Sequence, residues 1–381
     1  MNGFLRGLIL DLRNKCHLLG DMLQGSSPSA DVSTLSSQTL LRISQIEAAL
    51  ARQLDRLDSP AASYSTPNIF IEYKERSNEI TFYEQVCVPT IVRFNDDDKL
   101  FNRMVRLACT QIGYPIVYPT GSVLGNQYYH CYPQIDLIVG PLLQAHSLLS
   151  LPDLFHELGH CLYLRYESYF RDPFLDQTKT YFEQMANQLT RQGSATSLIG
   201  ILKSVREKWE TDWLIEFCCD MIATYLVGNA YGWANLHLCA NAHPDSNIYL
   251  PTAEQLQTNR HPSDEARMRG ICSMLILLDD QRGVETLLKD WRSYETIVIA
   301  PKPDHYDFFY PGELIDGLAR LVNQQCQNIG LMPYTLQKPV AGNINLIVII
   351  RTAWGEFLKD PQIFVDWEKS RLAELKRIVL T

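Results

Sequence analysis

Residues 154–163 read Leu154-Phe155-His156-Glu157-Leu158-Gly159-His160-Cys161-Leu162-Tyr163. This segment contains the pattern H-E-x-x-H. Residues four apart on an α-helix lie on one face, about one turn from each other. His156 and His160 can therefore bind one zinc ion, while Glu157 acts on the water that the metal activates. The pattern points to zinc-assisted hydrolysis.

The motif needs support from the rest of the chain, because a chance match is expected in about one such sequence in a hundred. The alternative is a helix with two solvated or core-capping histidines. A metzincin would continue to a glycine and a third histidine, but Tyr163 and Tyr166 occupy those positions. Glu167 lies about 10 Å along the helix axis from His160, well beyond a zinc bond of about 2 Å. The third ligand must therefore come from another element.

The best candidate for this ligand lies in a second helical segment, which runs from Trp213 to Gly228 and ends in a plausible C-cap glycine. Glu216 and Asp220 are four residues apart and share a face. One carboxylate can ligate the metal while the other accepts a hydrogen bond from the outer ring nitrogen of a ligating histidine. The alternative is an exposed acidic face. Because the segment is largely apolar, however, two carboxylates there need a partner.

A third element begins at His261-Pro262-Ser263, 45 residues after Glu216. Pro262 forces the residue before it out of the helical region, Ser263 can cap a helix, and that helix runs towards Leu278. Arg267 lies about one turn into it. An arginine here can hold the substrate or orient the carboxylates. The alternative is an ordinary helix start with a surface arginine.

Together the three elements resemble the gluzincins, and within them the HtpX and CAAX prenyl protease family. The resemblance covers about residues 110–280. It rests on H-E-x-x-H, then E-x-x-x-D after 56 residues, then H-P with an arginine six positions after the histidine. It implies a metallopeptidase with Zn²⁺ as cofactor and a protein or peptide as substrate.

The resemblance also implies a role for each matched residue. His156, His160 and Glu216 would bind the metal, and Glu157 would be the general base. Asp220 would not bind the metal itself but would support one of its ligands. The transition state or substrate would contact two further residues, His261 and Arg267.

One departure from these relatives is the lack of a membrane span. They are usually embedded in membranes, whereas no run of about 18 apolar residues occurs here. We therefore expect a soluble protein, and the prenylated or membrane substrates of the relatives do not transfer to it.

Composition bounds the class of protein and its compartment. A 46% hydrophobic and 20% charged chain is typical of a globular protein. The formal charge of -9 and the absence of Lys and Arg clusters argue against nucleic acid and anionic membranes as partners. The N-terminus lacks the unbroken apolar core of an export signal. The ten cysteines show no disulfide framework, so we expect reduced thiols and a cytoplasmic location.

We expect an α+β fold that is mostly helical, with a zincin-like metalloprotease domain, a small sheet and an N-terminal helical hairpin. Residues 1–59 have leucine and isoleucine at helical spacing and predict that hairpin. It would pack on the body, or bind a protein partner or a second copy. Residues 60–281 would form the core, and 282–381 a C-terminal helical part packed on it, with its helices broken at prolines.

Other segments give shorter predictions. Residues 69–92 favour irregular strands, and 96–111 a helix. Residues 135–139 predict a strand, either lining the cleft or internal. Ser150–Asp153 fits a capping box at the start of the metal helix. The polar helical insertion 177–209 is where a lid could lie.

Some chemically capable residues are not tied to the site by the sequence. They are Tyr306, Tyr310 and His305, which we interpret as surface or packing residues; the alternative is that they line the cleft. Cys131 and Cys161 could ligate or regulate, or simply be buried small side chains.

Two other functional classes stay open. The chain could be a catalytically silent, zinc-bearing scaffold whose N-terminal helices recruit a protein partner. It could instead be a metal-free helical interaction protein.

Overall fold

The computed structural model describes most of the chain, namely residues 2–26, 28–59, 62–124, 128–142, 146–193, 196–241, 248–249, 260–298, 302–338 and 344–380. Helices dominate these ranges, and three short strands form one sheet. This confirms the α+β class predicted from the sequence. The chain divides into two compact units, which we describe in turn.

The first unit comprises Met1–Arg103, Thr120–Asn126 and Val139–Ala145. Its first two helices are α1 (Asn2–Gly25) and α2 (Ser33–Leu57), with a 3-10 turn at Ala30–Val32 before α2. The two helices pack against each other. The buried side of α1 follows the helical spacing seen in the sequence and consists of Leu5, Ile9, Leu12, Cys16, Leu19 and Leu23.

The prediction of strands in residues 69–92 is wrong. The chain forms α3 (Ala62–Phe82), a π-turn (Tyr83–Cys87) and α4 (Val88–Val92). Ile69, Ile80, Tyr83, Val88 and Ile91 are buried, and α3 and α4 pack against α1 and α2, so packing outweighs local propensity. Proline is accepted in the first turn of α4, where its missing N–H is not needed.

The helix predicted for 96–111 is present as α5 (Asp96–Ile112). Three strands follow it: β1 (Thr120–Val123), β2 (His130–Tyr132) and β3 (Leu137–Gly140). They pair in the order β1-β3-β2, and every residue of β3 is buried. The strand predicted at 135–139 is therefore β3, shifted by two residues at its start. The shift arises because a 3-10 turn and Asp136, in the left-handed conformation, precede it.

The second unit comprises Met104–Pro119, Gln127–Ile138 and His146–Thr381. The metal helix of the prediction is α6 (Pro152–Arg165). The capping box proposed at Ser150 is wrong, since α6 has no side-chain cap. The side chain of Asp153 instead accepts a hydrogen bond from the hydroxyl of Tyr128.

The insertion after α6 forms α7 (Arg171–Arg191) and α8 (Thr196–Lys208), followed by a π-turn at Trp209–Trp213. Next come α9 (Leu214–Val227) and α10 (Asn229–Asn241). Gly228 separates these two helices and has a φ of 67°, a conformation that favours glycine. It is the predicted C-cap, and it lets α10 begin at once and fold back against α9.

The remaining helices agree with two predictions, the helix that runs from Ser263 towards Leu278 and the further helices in residues 282–381. They are α11 (Asp264–Leu277), α12 (Gln281–Val298), α13 (Tyr306–Phe309), α14 (Gly312–Asn328), α15 (Leu346–Lys359) and α16 (Pro361–Val379). As predicted, Ser263 caps α11, its hydroxyl accepting a hydrogen bond from the backbone N–H of Ala266.

The core of the second unit is built around α9. This helix packs against α6, α10, α11 and α14, and all of its residues from 216 to 227 are buried. Three of these neighbours carry residues that form the candidate site. Across the described ranges, none of the helices is both long enough and apolar enough to cross a membrane.

Candidate metal centre

His156 and His160 lie on one face of α6, as their spacing predicts. Their Nε2 atoms are 3.1 Å apart, and the ring centroids are 4.8 Å apart. Their side chains are only 10% and 19% exposed. Two imidazole nitrogens this close can either share a proton in a hydrogen bond or bind the same metal ion through their lone pairs.

Gly159 brings α9 close to this face. A Cβ atom placed on Gly159 would lie 3.0 Å from the Cα of Cys219, so only glycine allows this approach of the two backbones. Glu216 lies one turn before Cys219 on α9. Its Oε2 is 3.4 Å from the Nε2 of His156, and its Oε1 is 3.7 Å from the Nε2 of His160. The two helices thus bring two imidazoles and one carboxylate to a single point.

The electrostatics of the three groups differ. Burial opposes the charge on Glu216, but the hydrogen bond with His156 and the nearby imidazoles and arginine outweigh it and lower its pKa to about 2. Burial, together with the charge on His156, lowers the pKa of His160 to about 4. Burial also opposes charge on His156, but bonds to Asp220 and Glu216 prevail and raise its pKa to about 10.

A sulfur atom offers an alternative third donor. The ligand atoms of His156, His160 and Cys219 all lie within 4.8 Å of one another, so this buried group could also hold a metal. Burial raises the pKa of the Cys219 thiol well above its usual value, whereas Glu216 is ionised. Because metals bind the thiolate and not the thiol, the carboxylate is the better donor in this environment.

Asp220 lies one turn after Glu216 and is fully buried. Its Oδ1 accepts a hydrogen bond from His156 Nδ1 at 2.9 Å. The guanidinium of Arg267 donates to both carboxylate oxygens, at 2.8 Å from Nε and 2.7 Å from Nη2. Because Asp220 engages the outer nitrogen of His156, the inner Nε2 faces His160 and Glu216. This is the arrangement that fixes the tautomer and orientation of a metal-binding histidine.

Glu157 is 7% exposed and lies next to the first histidine. Burial raises its pKa to about 7, and the negative charges of Glu216 and Asp153 add to the effect. The backbone N–H of Cys131, on β2, partly opposes this shift through a hydrogen bond. The carboxyl group therefore exchanges a proton readily near neutral pH.

His261 and Arg267 lie differently from each other. The His261 side chain is 68% exposed, and its Nε2 is 3.9 Å from Oε2 of Glu216. The guanidinium of Arg267 is instead paired with Asp220, behind His156. Of the two roles proposed for Arg267, orienting a carboxylate matches its position.

The residues left unassigned are mostly packing residues. Tyr306 and Tyr310 are buried, and both hydroxyls bond to Ser263, the cap of the helix that carries Arg267. His305 is exposed. Cys131 and Cys161 are both buried free cysteines, and their sulfur atoms are 2.7 Å apart.

The sequence reasoning missed Tyr231, on α10. Its hydroxyl donates to Oδ1 of Asp220 and lies 3.0 Å from Nδ1 of His156. The sequence pointed to Tyr231 only indirectly. Gly228, three residues earlier, ends α9 and allows the chain to turn back towards it in α10.

No protein-family model, no curated protein and no solved structure matches this chain. The site is therefore interpreted from its own residues and geometry.

Proposed function

We propose that this chain is a zinc-dependent metallopeptidase of the gluzincin type, with a zincin-like domain that hydrolyses peptide bonds in a protein or peptide substrate. The observation that carries the proposal is the convergence of His156, His160 and Glu216 on one point, with Glu157 buried beside them. The scatter of ten cysteines supports a cytoplasmic location for this activity.

The donor set suits zinc. Two imidazoles and one carboxylate are a common ligand set of catalytic zinc sites, which keep a further position open for water or substrate. His156, His160 and Glu216 would hold the ion. Bound there, zinc would supply a Lewis acid that polarises the scissile carbonyl and makes water more acidic.

Glu157 would move the proton in this reaction. It takes a proton from the attacking water as the new C–O bond forms, and then gives it to the amine nitrogen as the C–N bond breaks. A carboxyl group with a pKa of about 7 can do both near neutral pH. Its burial also keeps bulk water from competing for that proton.

His261 and Arg267 would have separate tasks. The exposed imidazole of His261 lies 3.9 Å from Glu216, where it could donate a hydrogen bond to the carbonyl oxygen as negative charge develops on it. Arg267 would act indirectly, because its charge holds Asp220 ionised and Asp220 orients His156.

The test compares two glutamate-to-glutamine variants in the presence of zinc. Glu157→Gln removes the proposed base, whereas Glu167→Gln alters a half-exposed surface glutamate that pairs with Arg171. Cleavage is followed with a library of quenched fluorogenic peptides and with unfolded casein. We expect Glu157→Gln to retain zinc and lose at least about 10²-fold in kcat, and Glu167→Gln to match the wild type. Full activity in Glu157→Gln would rule out the proposed base. No cleavage by a zinc-loaded wild type would contradict the peptidase assignment.

A further inference from the structure

One hydroxyl group lies at the centre of the buried network behind the candidate metal centre. The oxygen of Tyr231 bonds with Oδ1 of Asp220, lies 3.0 Å from Nδ1 of His156, and accepts a hydrogen bond from Nη2 of Arg267 at 3.3 Å. These three residues lie on three other helices, so Tyr231 connects all of them from α10.

The position of Tyr231 follows from the turn before it. Gly228 ends α9 with a positive φ, and the backbone N–H of Tyr231 donates to the carbonyl of Gly228 at 3.1 Å. The chain thus turns from α9 into α10 within three residues. This reversal places the first turn of α10 beside the part of α9 that carries Asp220.

Asp220 accepts four hydrogen bonds from three residues. Oδ2 accepts one bond, from Nε of Arg267. Oδ1 accepts three, from His156 Nδ1, from Arg267 Nη2 and from the hydroxyl of Tyr231. Because Asp220 is fully buried, its direction is set by these donors and not by water. Among these three donor residues, Tyr231 is the only one that donates from a hydroxyl group.

The ring of Tyr231 lies beside the imidazole of His156. The two rings are nearly parallel, with an interplanar angle of 15° and centroids 6.1 Å apart. Because Nδ1 contacts both Asp220 and the phenol oxygen, rotation of the imidazole about its Cβ–Cγ bond would break its bond to Asp220 and turn its Nδ1 away from that oxygen. Both effects favour one ring orientation, in which Nε2 points at His160 and Glu216.

We propose that Tyr231 is a positioning residue of the metal centre, whose hydroxyl holds Asp220 and the outer nitrogen of His156 in the orientation that zinc requires. This inference rests on the proposed function, since it assumes that His156 binds zinc. Outer hydrogen-bond partners of metal ligands typically change metal affinity by about 10- to 100-fold when removed. We expect an effect of that size from the loss of this one oxygen atom.

Zinc affinity of the full chain tests the inference without any need for a substrate. Tyr231→Phe removes the hydroxyl and keeps the ring. Tyr225→Phe is the matched control, because Tyr225 is equally buried but donates to the carbonyl of Leu331, at 3.1 Å. The zinc dissociation constant is measured by competition with a chromophoric chelator. The visible absorption of the cobalt(II)-substituted proteins reports ligand geometry independently of affinity.

We expect Tyr231→Phe to bind zinc about 10- to 100-fold more weakly than the wild type, with an altered cobalt spectrum, and Tyr225→Phe to match the wild type in both. Wild-type affinity and an unchanged spectrum in Tyr231→Phe would overturn the inference and leave the proposed function intact. An equal loss in both variants would also overturn it, because the effect would then reflect any lost buried bond. A wild type that binds no zinc would overturn the proposed function and this inference together.

Discussion

The close approach of α6 and α9 predicts a specific effect of adding one methyl group. In Gly159→Ala the new Cβ would lie 3.0 Å from Cα, 3.2 Å from Cβ and 3.3 Å from Sγ of Cys219. Comfortable carbon contacts begin at about 3.5 Å. Two of the three neighbouring atoms belong to the rigid part of Cys219, so the helices must separate by a few tenths of an ångström.

Two opposing terms determine the effect on stability. Alanine is favoured over glycine in a helix interior by about 1 kcal/mol. Overpacking a tight core typically costs about 1–3 kcal/mol. Because the contact is between backbones and cannot be relieved by a side-chain rotation, we expect a net loss of about 1 kcal/mol in the free energy of unfolding.

The same separation should weaken the metal centre. Metal–ligand distances tolerate about ±0.2 Å. In the sequence, Gly159 stands immediately before His160, and Cys219 lies one helical turn after Glu216. A shift of a few tenths of an ångström exceeds this tolerance. We therefore expect zinc affinity to fall by about tenfold or more.

The assay pairs Gly159→Ala with a second glycine-to-alanine variant. Gly355 lies in the interior of α15, is exposed, and has open space where the methyl group of an alanine would lie. We expect Gly355→Ala to gain about 0.5–1 kcal/mol in urea unfolding and to keep wild-type zinc affinity. The reasoning would be refuted if Gly159→Ala gained stability like Gly355→Ala and bound zinc equally well.

Three further predictions concern the elements that hold the site. Arg267→Leu removes the guanidinium that pairs with the buried carboxylate of Asp220, and we expect urea unfolding to show a loss of about 3–5 kcal/mol. Gly228→Ala requires a φ of 67° and puts a Cβ 2.9 Å from the ring of Tyr334. We expect its backbone strain alone to lower the free energy of unfolding by about 1–3 kcal/mol, measured against Gly355→Ala. Ser263→Ala removes a helix cap, and thermal unfolding should show a loss of about 1 kcal/mol.

Each of these has a result that contradicts it. Unchanged stability in Arg267→Leu would mean that Asp220 is not a buried anion. A Gly228→Ala variant as stable as Gly355→Ala would contradict the sharp reversal between α9 and α10. If Ser263→Ala unfolded at the same temperature as the wild type, the cap bond would contribute nothing to the stability of α11.

The sequence predicted several features that depend on local chemistry, although the capping box that it suggested at Ser150 is absent. Two histidines four apart must share a face of a helix, and this holds for His156 and His160. The C-cap at Gly228 and the N-cap at Ser263 follow from the conformations that glycine and serine favour. These signals extend over one or two turns, so they can be recognised without knowledge of the tertiary structure.

Other features that depend on tertiary packing were not predicted from the sequence. Residues 69–92 are rich in strand-forming side chains, yet burial against α1 and α2 makes them helical. Arg267 could have paired with either carboxylate of α9 or with substrate, and only the packing of α11 selects Asp220. Tyr231 has no distinguishing neighbour in sequence. Its importance arises from the direction in which α10 leaves Gly228.

The metal content of the purified protein tests the central claim most directly. Inductively coupled plasma mass spectrometry is applied to the wild type, to Glu216→Ala, and to Glu207→Ala as an exposed control on α8. The account predicts about one zinc per chain in the wild type and in Glu207→Ala, and a large loss in Glu216→Ala. A wild type that lacks zinc and cannot take it up, or a Glu216→Ala protein that keeps it fully, would contradict the proposed centre.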